Sequence, residues 1–158
     1  MRNLVLATTT LFVGLSAGVF FAYSTSVMLA LRLVEDRTFI DVMQKINTAI
    51  LNGWFLTVYV GAFFLAVAAV LLHLAAAHRG PLPWLIAAAV LYAVAFVVTA
   101  AVNVPLNDTL NAAGPAATIT DPSAVRQAFE DRWITWNLVR TVASAGSLLT
   151  MAIALIRA

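Results

Sequence analysis

Four long apolar stretches, separated by polar segments, set the pattern of this chain. They cover about residues 4–31, 53–77, 84–102 and 134–156. A helix needs about 20 mostly apolar residues to cross a bilayer, so each stretch predicts a membrane-spanning helix. The first stretch is too long for the apolar core of a signal peptide, and we interpret it as a retained first span.

The segments between the spans differ in character. His78–Pro83 contains glycine and proline and predicts a tight turn. Residues 32–52 predict an amphipathic helix at the interface, because apolar side chains recur there at helical spacing. Those side chains are Phe39, Val42, Met43 and Ile46. Residues 104–133 contain three prolines and a glycine and predict a long connection, with a short helix starting at Asp121 or Ser123.

These elements predict an all-α fold: an antiparallel four-helix transmembrane bundle. An amphipathic helix joins spans one and two, and a long capping connection joins spans three and four. We expect residues 1–158 to form a single membrane domain. An even number of spans places both termini on one side of the membrane and both long connections on the other.

Membrane orientation is weakly encoded. All seven acidic residues fall on the side of the long connections, together with most of the basic ones. A count of lysine and arginine alone favours that side as cytoplasmic. The absence of acidic residues on the other side instead favours cytoplasmic termini. We expect cytoplasmic termini in a bacterial cytoplasmic membrane.

Composition agrees with an integral membrane protein whose partner is the lipid bilayer. Hydrophobic residues make up 63% of the chain and charged residues 10%, against about 25% charged in soluble domains. The absence of cysteine excludes disulfides and thiolate chemistry. Two histidines are too few for most metal sites, so we expect no metal and no cofactor. A net charge of +2 without a basic run predicts no binding to nucleic acid.

Polar residues of all four spans gather at the end of the bundle that carries the long connections. Chain direction alone brings the end of span one, the start of span two, the end of span three and the start of span four to one depth. Polar groups persist in lipid where they satisfy one another or line a cavity. The sequence therefore predicts one shared pocket. Its candidate residues include Tyr23, Asn47, Thr99, Asn103, Asn137 and Arg140.

Arg140 is the only charge of the fourth apolar stretch before Arg157. An arginine inside a membrane helix costs roughly 2.5 kcal/mol or more unless it faces a cavity or a partner. Trp133, Trp136 and Asn137 precede it at helical spacing and predict one shared face. One interpretation is an interfacial aromatic belt with an arginine that snorkels or pairs with Asp41 or Asp108. The other is a ligand-facing arginine, favoured by a depth of about 10 Å from the helix start.

The segment Asn103-Val104-Pro105-Leu106-Asn107 is the second candidate element. Proline lacks an N–H and disfavours helix in the preceding residue, so span three should end or kink at Asn103. The two asparagines either cap this helix end or point into the pocket. Phe96 and Thr99 share a helix face with Asn103, which favours the second interpretation.

Four segments together carry a family resemblance. They are Gly18-Val19-Phe20-Phe21-Ala22-Tyr23-Ser24, Met43-Gln44-Lys45-Ile46-Asn47, Asn103-Val104-Pro105-Leu106-Asn107 and Trp133-x-x-Trp136-Asn137-x-x-Arg140-Thr141. The chain resembles the anthrone-oxygenase-like family of small four-span membrane proteins, many of unknown function. Members from fungal polyketide pathways are associated with oxidising an anthrone to an anthraquinone with molecular oxygen and no known cofactor.

This resemblance implies a membrane-embedded, cofactor-independent oxygenase acting on a lipophilic aromatic molecule such as an anthrone-like phenol. Arg140, Asn137 and Asn103 would be catalytic: the arginine would hold a phenolate or enolate, and the amides would bind carbonyl or peroxy oxygens. The remaining predicted residues would bind substrate. They are Trp133, Trp136, Asn47, Asn107, Tyr23, Phe96 and Thr99. A strong general base is missing, unless Asp108, Asp131 or Tyr23 serves.

A non-catalytic function remains the alternative. The same pocket would then bind or move a small amphipathic molecule, or the protein would be a scaffold, and Arg140 would recognise an anion. Small residues at Gly14 and Gly18 permit close helix approach within the bundle or between protomers of a homo-oligomer. The sequence does not decide between catalysis and binding.

Overall fold

The computed structural model describes residues 2–74 and 79–158, and nearly all of them are helical. Within this part of the chain the long helices are α1 (Arg2–Leu31), α2 (Asp36–Ala49), α3 (Gly53–Leu74), α4 (Leu82–Ala112) and α5 (Pro122–Ile156). All except α2 are long and apolar enough to cross a membrane. The all-α prediction with four spans is therefore confirmed. His78 and the predicted last residues of span two lie outside the described residues.

The four spanning helices form a closed ring of antiparallel neighbours. Helix α1 packs against α3 and α5, and α4 packs against the same two helices. Small residues allow the close approaches: a Cβ at Gly61 would lie 3.1 Å from the ring of Phe12, and one at Gly146 would lie 3.3 Å from Leu91. This is the bundle that the apolar stretches predict, and α2 lies across one end of it.

Two features of α4 and α5 differ from the sequence prediction. Of the two alternatives at Asn103, an end or a kink, the end is wrong, because α4 continues to Ala112. The helix that starts near Asp121 runs without a break into span four. The Asp121 carboxylate caps α5 by accepting a hydrogen bond of 3.0 Å from the Ala124 N–H, and Pro122 occupies the first helical turn, where no N–H is needed. The connection that caps the bundle is therefore shorter than predicted.

Two π-helical turns interrupt the spanning helices, at Tyr23–Val27 in α1 and at Thr99–Asn103 in α4. In the second turn the Val104 N–H bonds to the Thr99 carbonyl, five residues back. Pro105 follows at once, so the wider turn accommodates a residue that cannot continue the α-helical ladder. Both turns lie at the end of the bundle beneath α2.

Helix α2 is held over that end by hydrogen bonds to the connection between α4 and α5. The Arg37 guanidinium donates to the carbonyls of Ala116, Ala117 and Ile119, and the Gln44 amide donates to those of Leu110 and Gly114. The apolar face of α2, which includes Phe39, Ile40 and Met43, packs in a core with Leu110, Phe129 and Trp133. This confirms the predicted amphipathic helix and covers the site described next.

Candidate functional site

A cavity of about 280 Å³ lies inside the bundle beneath α2. It is slightly smaller than the roughly 300–1,000 Å³ of typical small-molecule pockets, so it suits a compact ligand. All four spanning helices contribute to its wall, as does the end of α2. Most of the residues predicted from the sequence lie on this wall. They are Tyr23, Asn47, Phe96, Thr99, Asn103, Asn107, Trp133, Asn137 and Arg140.

Arg140 lies at the inner wall and is only 6% exposed. Its Nη2 donates to Asn137 Oδ1 at 2.8 Å, and its Nη1 approaches Thr99 Oγ1 at 3.4 Å. The guanidinium carbon lies 4.5 Å from the ring centroid of Phe20 and 5.3 Å from that of Trp133. These cation–π contacts stabilise the charge partly but do not neutralise it.

No carboxylate of residues 2–74 and 79–158 lies within 4.0 Å of the Arg140 guanidinium. Asp41, one partner considered from the sequence, instead binds Lys45 at 2.7 Å on the surface. Asp108, the other, lines the cavity at its exposed rim. A buried positive charge without an ion pair is costly unless another group compensates it. The cavity in front of Arg140 is where an anionic ligand would do so.

Asn137 fixes the position of Arg140. Its Nδ2 donates to Ser24 Oγ at 2.8 Å and to the Phe20 carbonyl at 3.0 Å, so its Oδ1 is turned toward the guanidinium. Ser24 lies in the π-helical turn of α1 and also bonds to Thr141 Oγ1 at 3.1 Å. The sequence analysis did not select Ser24 as a site residue, although it stands next to Tyr23.

Three buried polar atoms on the cavity wall have no hydrogen-bond partner among the described residues: Asn47 Nδ2, Asn103 Oδ1 and Arg140 Nε. A fourth atom of this kind, Ser144 Oγ, lies one turn further along α5. Leaving such a group unsatisfied costs about 1–3 kcal/mol. All three belong to residues that line the cavity, and they comprise two donors and one acceptor.

The other asparagine amides position an indole. Trp133 Nε1 donates to Asn107 Oδ1 at 2.8 Å, and Asn103 Nδ2 donates to the Trp133 carbonyl at 3.3 Å. Trp133 is thereby held against the cavity, with its ring 5.5 Å from that of Tyr23. Asn107 therefore orients an aromatic wall group rather than presenting a free amide oxygen.

Further aromatic residues line the cavity, and most were not selected from the sequence. Tyr59 stacks between Phe55 and Phe96, with ring centroids 5.3 Å and 5.4 Å away. Phe20 meets Tyr59 edge to face at 5.9 Å. Phe55 and Tyr59 are four residues apart at the start of α3, and this helical spacing was the sequence signal for an aromatic face there. These rings give the cavity an apolar, aromatic lining that suits an aromatic ligand.

Trp136 does not line the cavity and is half-buried elsewhere. At about 100° per residue from Trp133, Asn137 points about 40° to one side, and Arg140 and Trp136 point about 20° and 60° to the other, so Trp136 is at the edge of this face. The predicted shared face therefore holds for Trp133, Asn137 and Arg140 but not for Trp136. Asp131, a candidate base, is also remote: it is largely exposed and pairs loosely with Arg32 at 3.9 Å.

In the part of the chain that the structure describes, no group of three or more metal-binding side chains is close enough to hold a metal ion. His73 lies in the half of α3 away from the cavity, where its Nδ1 meets the Ala69 carbonyl at 2.8 Å. The absence of a metal or cofactor remains a prediction.

The fold and the site define a small helical integral membrane protein with a buried, cationic, aromatic-walled cavity. The family model described as anthrone oxygenase matches residues 54–150, more than half of the chain. The chain therefore belongs to the anthrone oxygenase family. No match was found among curated proteins or among solved structures. The matched region contains Asn103, Asn137 and Arg140, whereas Tyr23 and Asn47 lie outside it.

Proposed function

We propose that this protein is a cofactor-independent oxygenase that oxidises a lipophilic aromatic substrate, such as an anthrone-like phenol, inside this cavity. The observation that carries the proposal is the Arg140 guanidinium, which is buried on the cavity wall without a carboxylate partner among the described residues. Membership of the anthrone oxygenase family supports an oxygenase-type reaction. The identity of the aromatic substrate is part of the proposal.

Substrate binding follows from the chemistry of the walls. Fused rings lie in the cavity against its aromatic side chains, where apolar contact and exclusion of water favour them. The phenolate or enolate oxygen faces Arg140, whose planar fork donates to it. Asn47 and Asn103 then supply the remaining donor and acceptor to the polar edge of the ligand.

The reaction needs stabilisation of charge more than it needs a nucleophile. In an anthrone, the methylene group lies between two aromatic rings and is conjugated through them with the carbonyl across the central ring. It loses a proton to give an enolate, and this electron-rich anion transfers electrons to oxygen. One oxygen atom enters the substrate as a carbonyl, and the other leaves as water with the two methylene hydrogens. Arg140 stabilises the negative charge that develops, in a cavity whose lining is mostly apolar.

The direct test is oxygen uptake by the purified protein in detergent with 1,8-dihydroxyanthrone, without added metal or flavin. We expect uptake above the protein-free rate. Arg140→Lys should lose much of it, because a point charge replaces a planar fork, and Arg140→Gln should lose more. Trp136→Phe is the matched control on the same helix, outside the cavity, and should retain the parental rate.

Two outcomes would contradict the proposal. Parental rates in folded Arg140→Lys and Arg140→Gln would remove Arg140 from the reaction. A parent that binds aromatic phenols but takes up no oxygen across a panel of them would favour the non-catalytic alternative, in which the cavity binds or transfers an amphipathic molecule.

We also propose that residues 1–158 act as one membrane domain with cytoplasmic termini in a bacterial cytoplasmic membrane. The absence of acidic residues beside Arg2, Arg79 and Arg157 supports this orientation, whereas the count of lysine and arginine alone favours the opposite one. Single cysteines placed at Arg79 and Pro115 should react with an impermeant maleimide from opposite sides of the membrane, Arg79→Cys from the cytoplasmic side. Labelling of both from one side would contradict this topology.

A further inference from the structure

The cavity opens on one side of the bundle, at the seam between the start of α3 and the last part of α4. Several side chains on this seam line the cavity and are also exposed on the outer surface. Leu51 and Leu56 lie on one edge, 64% and 41% exposed. Ala100 and Val104 lie on the other edge, and Val104 is 40% exposed.

This seam is open because α3 packs against only part of α4. Its contacts are with residues 82–98, whereas among the described residues it scarcely touches the π-helical turn Thr99–Asn103 or the turns beyond it. Helix α5, by contrast, packs against α4 on both sides of that turn. The π-helical turn therefore lies at the level where α3 and α4 separate.

The edges of the opening differ in polarity along its length. The side chains of Leu56, Val60 and Val104 are apolar, and the first two belong to a helix whose composition is that of a membrane span. Asp108 and Asn111 lie at the polar end, next to the connection between α4 and α5. The apolar part thus faces the hydrocarbon of a bilayer, and the polar part faces its interface.

We infer that this opening is a lateral portal through which the ligand enters from the bilayer. The inference rests on the ligand-binding half of the proposed function. A phenolate is costly in hydrocarbon, so the ligand enters as the neutral phenol with its polar edge leading toward Arg140. It ionises inside, and the proton passes to water at the polar end of the rim, beside Asp108. An alkyl or prenyl substituent remains between Leu56 and Val104, so substituted aromatic phenols are accommodated.

The test uses single cysteines, which the cysteine-free chain makes selective. One variant is Val104→Cys, on the portal edge. The control is Val97→Cys, on the same helix and 60% exposed but outside the cavity lining. Both are labelled with a benzyl methanethiosulfonate. Alizarin, a dihydroxyanthraquinone, is the probe, and its entry into the protein in liposomes is followed by quenching of tryptophan fluorescence. We expect the label at position 104 to slow entry and exit severalfold with little change in Kd.

The label at position 97 should change neither rate, and removal of both labels by a reducing agent should restore parental kinetics. Unchanged entry in labelled Val104→Cys would overturn the portal while leaving the proposed function in place. Slowed entry in labelled Asn111→Cys, but not in labelled Val104→Cys, would overturn it in favour of entry from water. A parent that binds no alizarin would overturn both the portal and the proposed binding site.

Discussion

The two ends of this bundle are built from the same four helices but differ in packing and in the polar groups that they bury. At the closed end, away from α2, small side chains such as Ala66, Ala69 and Ala88 bring the helices together with Leu85 and Met151 in a fully buried core. At the other end, aromatic, asparagine and arginine side chains surround a cavity. One end stabilises the fold by close packing, and the other leaves a cavity for a ligand.

Hydrogen bonding shows the same contrast. Towards the closed end and the middle of the bundle, Ser147 donates to the Ala88 carbonyl at 2.8 Å, and Tyr92 bonds to Ser16 and to the Tyr59 carbonyl at 3.0 Å and 2.9 Å. At the cavity, Asn47, Asn103 and Arg140 each keep a buried atom without a partner among the described residues. Three of the four such atoms among the described residues thus belong to cavity residues, the exception being Ser144 Oγ, and this concentration is typical of a binding site.

The largest expected effect comes from breaking the polar network of the cavity end. Asn137→Leu removes the acceptor of Arg140 and the link to Ser24 and the Phe20 carbonyl. A hydrogen bond to a charged group contributes about 1.5–3 kcal/mol. Without it Arg140 is no longer held at the cavity, so the binding free energy of alizarin, measured by fluorescence quenching, should weaken by about the same amount. Trp136→Phe serves as control and should bind as the parent does. Equal affinities in all three proteins would mean that the network does not organise the site.

The closed end should respond in stability and not in binding. Ala88 is fully buried, so Ala88→Leu overpacks the core and should cost about 1–3 kcal/mol of stability, seen as a lower unfolding temperature. Ala100→Leu, on the exposed rim of the same helix, should leave the unfolding temperature nearly unchanged. Residual folded Ala88→Leu should bind alizarin normally, and weakened binding at unchanged stability would contradict the division between the ends.

A smaller effect is expected in the connection that caps the cavity end. Gly114 has φ +83° and open space where a Cβ would lie, so Gly114→Ala should cost about 1–2 kcal/mol through backbone strain alone. Gly18→Ala, in the regular part of α1 and also without a close contact, should not destabilise the protein. Thermal unfolding distinguishes the two, and equal shifts would argue against the strained-backbone explanation.

The sequence predicts the spans and the depth of the site well, because both follow from apolar length and chain direction. It places Asn103, Asn137 and Arg140 at one level before any packing is known. It does not predict the π-helical turns, since Pro105 is equally compatible with a helix that ends. The selection of Ser24 and Phe20 needed the packing of α1, because hydroxyl and aromatic residues are common throughout these spans.

The central claim is that the Arg140 charge serves a ligand and not the fold. It is tested most directly by thermal unfolding of the parent and Arg140→Gln, each with and without alizarin. Removing a buried charge that lacks an ion pair need not destabilise the bundle, and a ligand stabilises only the state that binds it. We expect Arg140→Gln to unfold at or above the parental temperature without alizarin and to gain little from its addition. A variant that unfolds well below the parent, yet is stabilised by alizarin as much as the parent is, would contradict the claim.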